Sequence, residues 1–105
     1  MTERKEFSKD GVLLIDGQYD KKKLRTGLWK EYYRNGIIAT EELFLDGNLH
    51  GFFRSYHENG NIWCNGNYDQ GHKEGKFEIY DKQGNLILFQ HYNKDKLINQ
   101  EILSK

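Results

Sequence analysis

The chain has no proline, one cysteine (Cys64), no net charge and no long apolar run. Without proline, no residue forbids β pairing anywhere along it. A lone thiol cannot close an intramolecular disulfide and fits a reducing compartment. Sixteen acidic side chains balance sixteen basic ones, so no global field draws nucleic acid or an anionic membrane. No segment approaches the roughly 20 apolar residues of a membrane span, and the start, Met1 to Phe7, has no apolar stretch of signal-peptide type. A soluble, cytoplasmic protein is expected. Apolar residues reach only 36% of the 105, which is little for a compact core. Aromatics make up 14% and each buries a large area, so a thin, one-sided core is expected instead.

What is present is a repeat. An offset of 24 aligns Gly27, Gly51 and Gly75, then Trp29, Phe53 and Phe77, then Tyr32, Tyr56 and Tyr80. Gly36, Gly60 and Gly84 coincide in turn, as do Ile38, Ile62 and Leu86, and Phe44, Tyr68 and Tyr92. Six columns that keep their chemistry through three copies define units 27–50, 51–74 and 75–98. Residues 7–26 form a degenerate earlier copy at offset 25, with Phe7, Gly11, Leu13 and Tyr19 in the places of Tyr32, Gly36, Ile38 and Phe44. The extra residue lies in Asp20–Thr26, which is expected to be a longer turn. In the tail, 99–105, Glu101 and Ser104 replace the aromatics, so the array is expected to stop, and Lys96–Leu103 is the one stretch where a helix is conceivable.

Short aromatic and β-branched runs alternate with Asn-Gly, Gln-Gly and Asp-Gly signals, so each unit reads as strand, turn, strand, turn. The whole chain, 1–105, is expected to be one all-β domain of tandem hairpins. A two-residue type I′ turn would force Gln83 to positive φ, whereas a three-residue loop with only the glycine left-handed suits all three copies. Tyr32 would then share a face with Ile38, Thr40 and Phe44, and strict alternation would place Trp29, Phe53, Phe77 and Trp63 on the other. Either a bulge near residues 30 and 31 returns the aromatic column to the main stripe, or the sheet has a second, partly apolar face. Persistence of the column in every copy favours the bulge.

The unit Gly-x-Trp/Phe-x-x-Tyr-x-x-x-Gly-x-Ile/Leu, followed by an aromatic and Asp/Gln-Gly, resembles the MORN (membrane occupation and recognition nexus) repeat in its bacterial variant form. The resemblance covers residues 27–95, with Gly27–Gly36 close to the variant consensus and Asp95 standing where the family usually has glycine. It implies an elongated, single-layer antiparallel meander of hairpins, on the order of 35 Å long at ~4.8 Å per strand. It also implies an interaction scaffold, and bacterial proteins of this type are often labelled antitoxins.

No catalytic constellation emerges. His50, His57, His72 and His91 occupy four different columns and are expected to be surface side chains rather than metal ligands. Cys64 shares a column with Thr40 and Leu88 and reads as a packed thiol. The glycines recur at turn positions and do not form a phosphate loop. The run Lys21, Lys22, Lys23 and Arg25 is the candidate anion contact, against the plainer reading of a solvated turn. Trp29, Phe53, Trp63 and Phe77 are the candidate partner-binding residues, since exposed aromatics anchor interfaces. The edge strands near Phe7 and Tyr92 offer backbone groups for β-augmentation or self-association. A non-enzymatic protein-interaction module of antitoxin or immunity type, with no cofactor, is the expected function. A self-assembling repeat protein acting through its sheet edges is the alternative, and neither nucleic acid nor a membrane is an expected partner.

Overall fold

A computed structural model describes residues 2–103 of the chain. The apolar and aromatic runs form nine strands: β1 (Thr2–Phe7), β2 (Leu13–Tyr19), β3 (Arg25–Tyr32), β4 (Ile38–Leu45), β5 (Asn48–Tyr56), β6 (Ile62–Asp69), β7 (His72–Tyr80), β8 (Leu86–Asn93) and β9 (Lys96–Ile102). They pair antiparallel in chain order into one open sheet. This is the single-layer meander of hairpins, with extents of 43 × 31 × 14 Å. The array does not stop at the third unit. The tail forms β9 rather than a helix, and the first hairpin begins at Thr2, upstream of Phe7. The sheet is correspondingly longer than 35 Å, and its outer strand at the C-terminal side is β9, not the strand carrying Tyr92.

Two kinds of turn alternate along the sheet. The loops after β3, β5 and β7 follow the three-residue scheme, in which the Tyr33 N–H donates to the Ile37 carbonyl at 2.8 Å and the Gly36 N–H to the Tyr33 carbonyl at 3.0 Å. The opposite turns are two-residue type I′ turns, with both central residues left-handed: Asp46 and Gly47, Gln70 and Gly71, Lys94 and Asp95. Asp95 keeps the turn without glycine, and its carboxylate accepts the Lys73 N–H at 2.8 Å. Each of these turns also donates to the preceding unit, as in Gly71 N–H to the Leu49 carbonyl at 2.7 Å. The segment after Tyr19 is the longer turn, closed by the Asp20 N–H on the Leu24 carbonyl.

Register shifts decide which side chains share a face. Gly27 pairs with Phe44, Trp29 with Glu42 and Glu31 with Thr40, but Tyr32 pairs with Ile38, leaving Ala39 as an extra residue. The aromatic column is therefore joined to Phe44, Tyr68 and Tyr92, and the irregularity lies opposite residues 31 and 32 rather than at 30 and 31. The other half of the expected stripe, Tyr32 and Ile38, turns to the opposite face. Two polar contacts mark the separation: Thr40 Oγ1 donates to Glu31 on the aromatic face, and the Tyr56 hydroxyl donates to Glu41 on the other. Between units a second irregularity recurs, where Gly17 alone faces Gly27–Trp29 and Gly66 alone faces Gly75–Phe77. Gly27 and Gly75 sit within these in-strand bulges, at φ 70° and 81°, and not in turns.

The core is a row of rings on one face. Tyr19, Trp29 and Phe44 meet edge to face at centroid distances of 5.3 and 6.1 Å. Phe53, Tyr68, Phe77 and Tyr92 continue the row at 5.7, 5.9 and 5.3 Å. Trp29 and Phe77 are each only 2% exposed, because their rings lie flat over glycine in the preceding unit. A Cβ on Gly17 would come within 2.1 Å of the Trp29 ring, and one on Gly66 within 2.4 Å of Phe77. In the middle unit the same column holds Glu42, opposite Phe53, and Phe53 is only half-buried.

Candidate functional site

The four candidate aromatics separate into different roles. Trp29 and Phe77 are core and have no surface to offer a partner. Phe53 packs edge to face on Tyr68 in the same row. Trp63 alone is well exposed, at 47%. It occupies the bulge column of Ala39 and Ile87, so its ring projects from the sheet beside the loop that follows β5. There it stacks on His57, with centroids 4.9 Å apart and planes 16° from parallel.

The surroundings of Trp63 are rigidly tied. Tyr33 donates its hydroxyl to the Tyr56 carbonyl at 2.6 Å, and His57 Nε2 donates to the Tyr80 carbonyl at 3.0 Å, one unit further on. Asn35 and Asn59 repeat the pattern from loop to loop, reaching the Glu58 and Lys82 carbonyls at 3.0 and 2.8 Å. Side chains of one unit thus satisfy the loop carbonyls of the next. The result is an open notch of about 430 Å³ lined by Tyr33, His57, Glu58, Asn59, Trp63 and Lys82. An aromatic floor with one acidic and one basic residue at its rim suits a polypeptide surface, and Tyr33, His57 and Asn59 are engaged in holding the loops around it.

The basic run does not converge. Arg25 lies over the rings of Trp29 and Phe44, at 4.2 and 5.3 Å, and caps the core. Lys73, one column equivalent, covers Phe77 and Tyr92 in the same way. Lys21, Lys22 and Lys23 remain exposed in the turn, with Lys23 in the left-handed position at φ 66°. The histidines go to separate partners: His50 lies 3.5 Å from Asp69, His72 bonds Asp95 at 2.7 Å, and His57 stacks on Trp63. Asp95 is held below the usual carboxylate range, first by the Lys73 N–H and then by His72. Cys64 is half-buried on the aromatic face, and burial pushes its thiol above the ordinary value, which disfavours the reactive thiolate.

Glu42 is a carboxylate drawn into the ring row, opposite Phe53. Burial raises its pKa, and repulsion from Glu31 adds to this, against hydrogen bonding by Thr40 and attraction to Arg25. A carboxyl whose folded pKa is raised favours folding while protonated, and that contribution is lost as pH rises through the folded value. Glu42→Gln is therefore expected to raise the melting temperature at neutral pH. Thermal scans should show the gap closing once the pH falls below the ordinary glutamate range.

Fold and surface together define a repeat scaffold: an open sheet of stacked hairpins whose recurring residues serve core and turns, with Trp63, unmatched in its own column, on the outside. The MORN repeat variant family model matches twice, at residues 25–46 and 49–70, which are the β3–β4 and β5–β6 hairpins. Repeats of this family are generally protein- or membrane-interaction modules and are not catalytic. No curated protein and no solved structure matches the chain. No helix among the described residues is long and apolar enough to cross a membrane.

Proposed function

We propose that the chain is a non-enzymatic protein-interaction module of antitoxin or immunity type, which neutralises a partner protein in the cytoplasm by covering it. Contact centres on Trp63 and the notch beside it. The observation that carries this reading is that the fold does not require a tryptophan there. Its column holds Ala39 and Ile87 elsewhere, yet here a large ring stands 47% exposed on a frame of hydrogen-bonded loops. A rigid, half-exposed tryptophan is the residue type that most often dominates a protein interface. The test is capture of a stoichiometric partner from the protein's own cells, followed by titration of that partner. Trp63→Ala is expected to cost about 2 kcal/mol or more, roughly thirtyfold in Kd, with the fold intact. A partner bound equally well by Trp63→Ala would move the interface elsewhere, and no partner at all would sink the neutralising role.

A second reading, assembly through sheet edges, rests on a different observation. Leu97, Ile98 and Ile102 on β9 are 46%, 62% and 69% exposed, and the strand's outer backbone groups are unpaired within the described sheet.

A further inference from the structure

We propose that the notch beside Trp63 takes an arginine side chain of the partner protein, its guanidinium lying on the indole and paired with Glu58. This rests on the interaction-module reading and deepens it by naming the chemistry that the site recognises. Three features that could meet a partner line the notch: the exposed ring of Trp63, the carboxylate of Glu58 and the ammonium of Lys82. His57 stacks on Trp63 and is itself held by the Tyr80 carbonyl, so the ring is fixed and the surface that His57 leaves uncovered is turned to solvent.

Elsewhere on this sheet, aromatic rings are covered by the chain's own cations. Arg25 lies 4.2 Å over Trp29, Arg54 4.7 Å over Phe52 and Lys76 3.9 Å over Phe89. An indole face is the negative end of the ring quadrupole, and a guanidinium, planar and weakly hydrated, is the side-chain cation best shaped to stack on it. Among the described residues no cation covers Trp63, although Lys82 lines the same notch. Among those residues Glu58 also has no ion pair, and only its main-chain carbonyl is used, by Asn35. A ring that attracts cations and an unpaired carboxylate thus stand at one notch. Both repel a carboxylate or a phosphate, and an arginine satisfies both, since its fork pairs with a carboxylate while its plane lies on the ring. Lys82 has the opposite sign. As a solvated charge at the rim it opposes any cation only weakly, so reversing it should improve binding.

Proton–nitrogen NMR of the full chain tests this, with the tripeptide Gly-Arg-Gly, blocked at both ends, as the probe. The indole N–H of Trp29 donates to the Gln18 carbonyl inside the fold, so its signal is the internal control for that of Trp63. The Trp63 signal is expected to shift saturably, with a dissociation constant on the order of tens of millimolar, while that of Trp29 stays in place. The lysine peptide should bind more weakly. Peptides with citrulline, which keeps the shape of arginine without its charge, or with aspartate should leave the signal unmoved. Glu58→Lys is expected to abolish saturation, Lys82→Glu to tighten arginine binding by roughly threefold, and added salt to weaken it. Circular dichroism confirms that each variant is folded. No saturable shift at Trp63, citrulline or lysine bound as well as arginine, a preference for aspartate, or an unchanged affinity in Glu58→Lys would each overturn the proposal. The neutralising role is decided separately. Arginine binding with no partner captured from the cells would sink that role and leave the chemistry of the notch as stated, whereas a partner lost on Trp63→Ala, with no arginine preference at the notch, would keep the role and overturn this inference.

Discussion

Phe77→Ala is expected to lower stability by about 3–5 kcal/mol, a large part of what a domain of this size has to lose. Phe77 is one of two buried hydrophobic side chains among the described residues and ties three strands together. Its ring lies over Gly66 on β6, meets Tyr68 on the same strand, and packs on Tyr92 of β8. Truncation would open a cavity that a single-layer sheet cannot refill from a second layer. Because contacts in a repeat sheet run mainly between neighbours, the loss should fall on the hairpins from β6 to β9 first. Urea denaturation followed by circular dichroism measures the total, and amide exchange should locate the opening at the C-terminal side. A loss below about 1 kcal/mol would mean that the ring row is not the core.

Gly66→Ala is expected to be nearly as damaging, for the opposite reason. The added Cβ would lie 2.4 Å from both Phe77 Cδ2 and Cε2, inside any real contact distance, and the atoms it meets belong to a buried ring with no free end. Overpacking of this kind costs typically about 1–3 kcal/mol. Phe77→Ala removes the obstacle, so the cost of Gly66→Ala should largely vanish in that background. A double-mutant cycle reads the difference as a coupling energy. Additive costs would show that Gly66 is needed for its backbone alone. The middle unit already displays the outcome of a side chain in this column, since Phe53 opposite Glu42 is half-buried where Trp29 and Phe77 are covered.

The hairpins and their loops were legible because they depend on residues close in sequence. Glycine at 36, 60 and 84 was enough to name the three-residue loops and the offset of 24 fixed their order, whereas the argument from Gln83 was weaker than it looked, because Gln70 and Lys94 take the left-handed position in the opposite turns. The ring row was less legible. Alternation along β3 puts Trp29 on the wrong side of the stripe, and only pairing with β4 and β2 shows where the extra residues fall. A signal did exist, because Gly17 and Gly66 share a column with Glu42 and Gln90, and a glycine amid side chains marks close approach by a neighbour. β9 was hidden for another reason. The missing aromatics at Glu101 and Ser104 affect packing, whereas strand pairing needs only backbone groups and the β-favouring Leu97, Ile98 and Ile102. Trp63 was singled out correctly as an aromatic of interest, but its difference from Trp29 lay in its column mates, Ala39 and Ile87, which demand no ring.

That difference is also the point on which the functional account turns, since only an aromatic outside the core can meet a partner. The chain has two tryptophans, one at 2% exposure and one at 47%, so fluorescence quenching can read them separately. Trp63→Phe leaves Trp29 as the sole reporter, and Trp29→Phe, which installs the residue found at positions 53 and 77, leaves Trp63. With acrylamide as quencher, the Trp63→Phe protein is expected to emit at short wavelength and resist quenching, while the Trp29→Phe protein emits at long wavelength and is quenched readily. Equal quenching of the two, or a protected Trp63, would contradict the division into a buried ring row and an exposed Trp63.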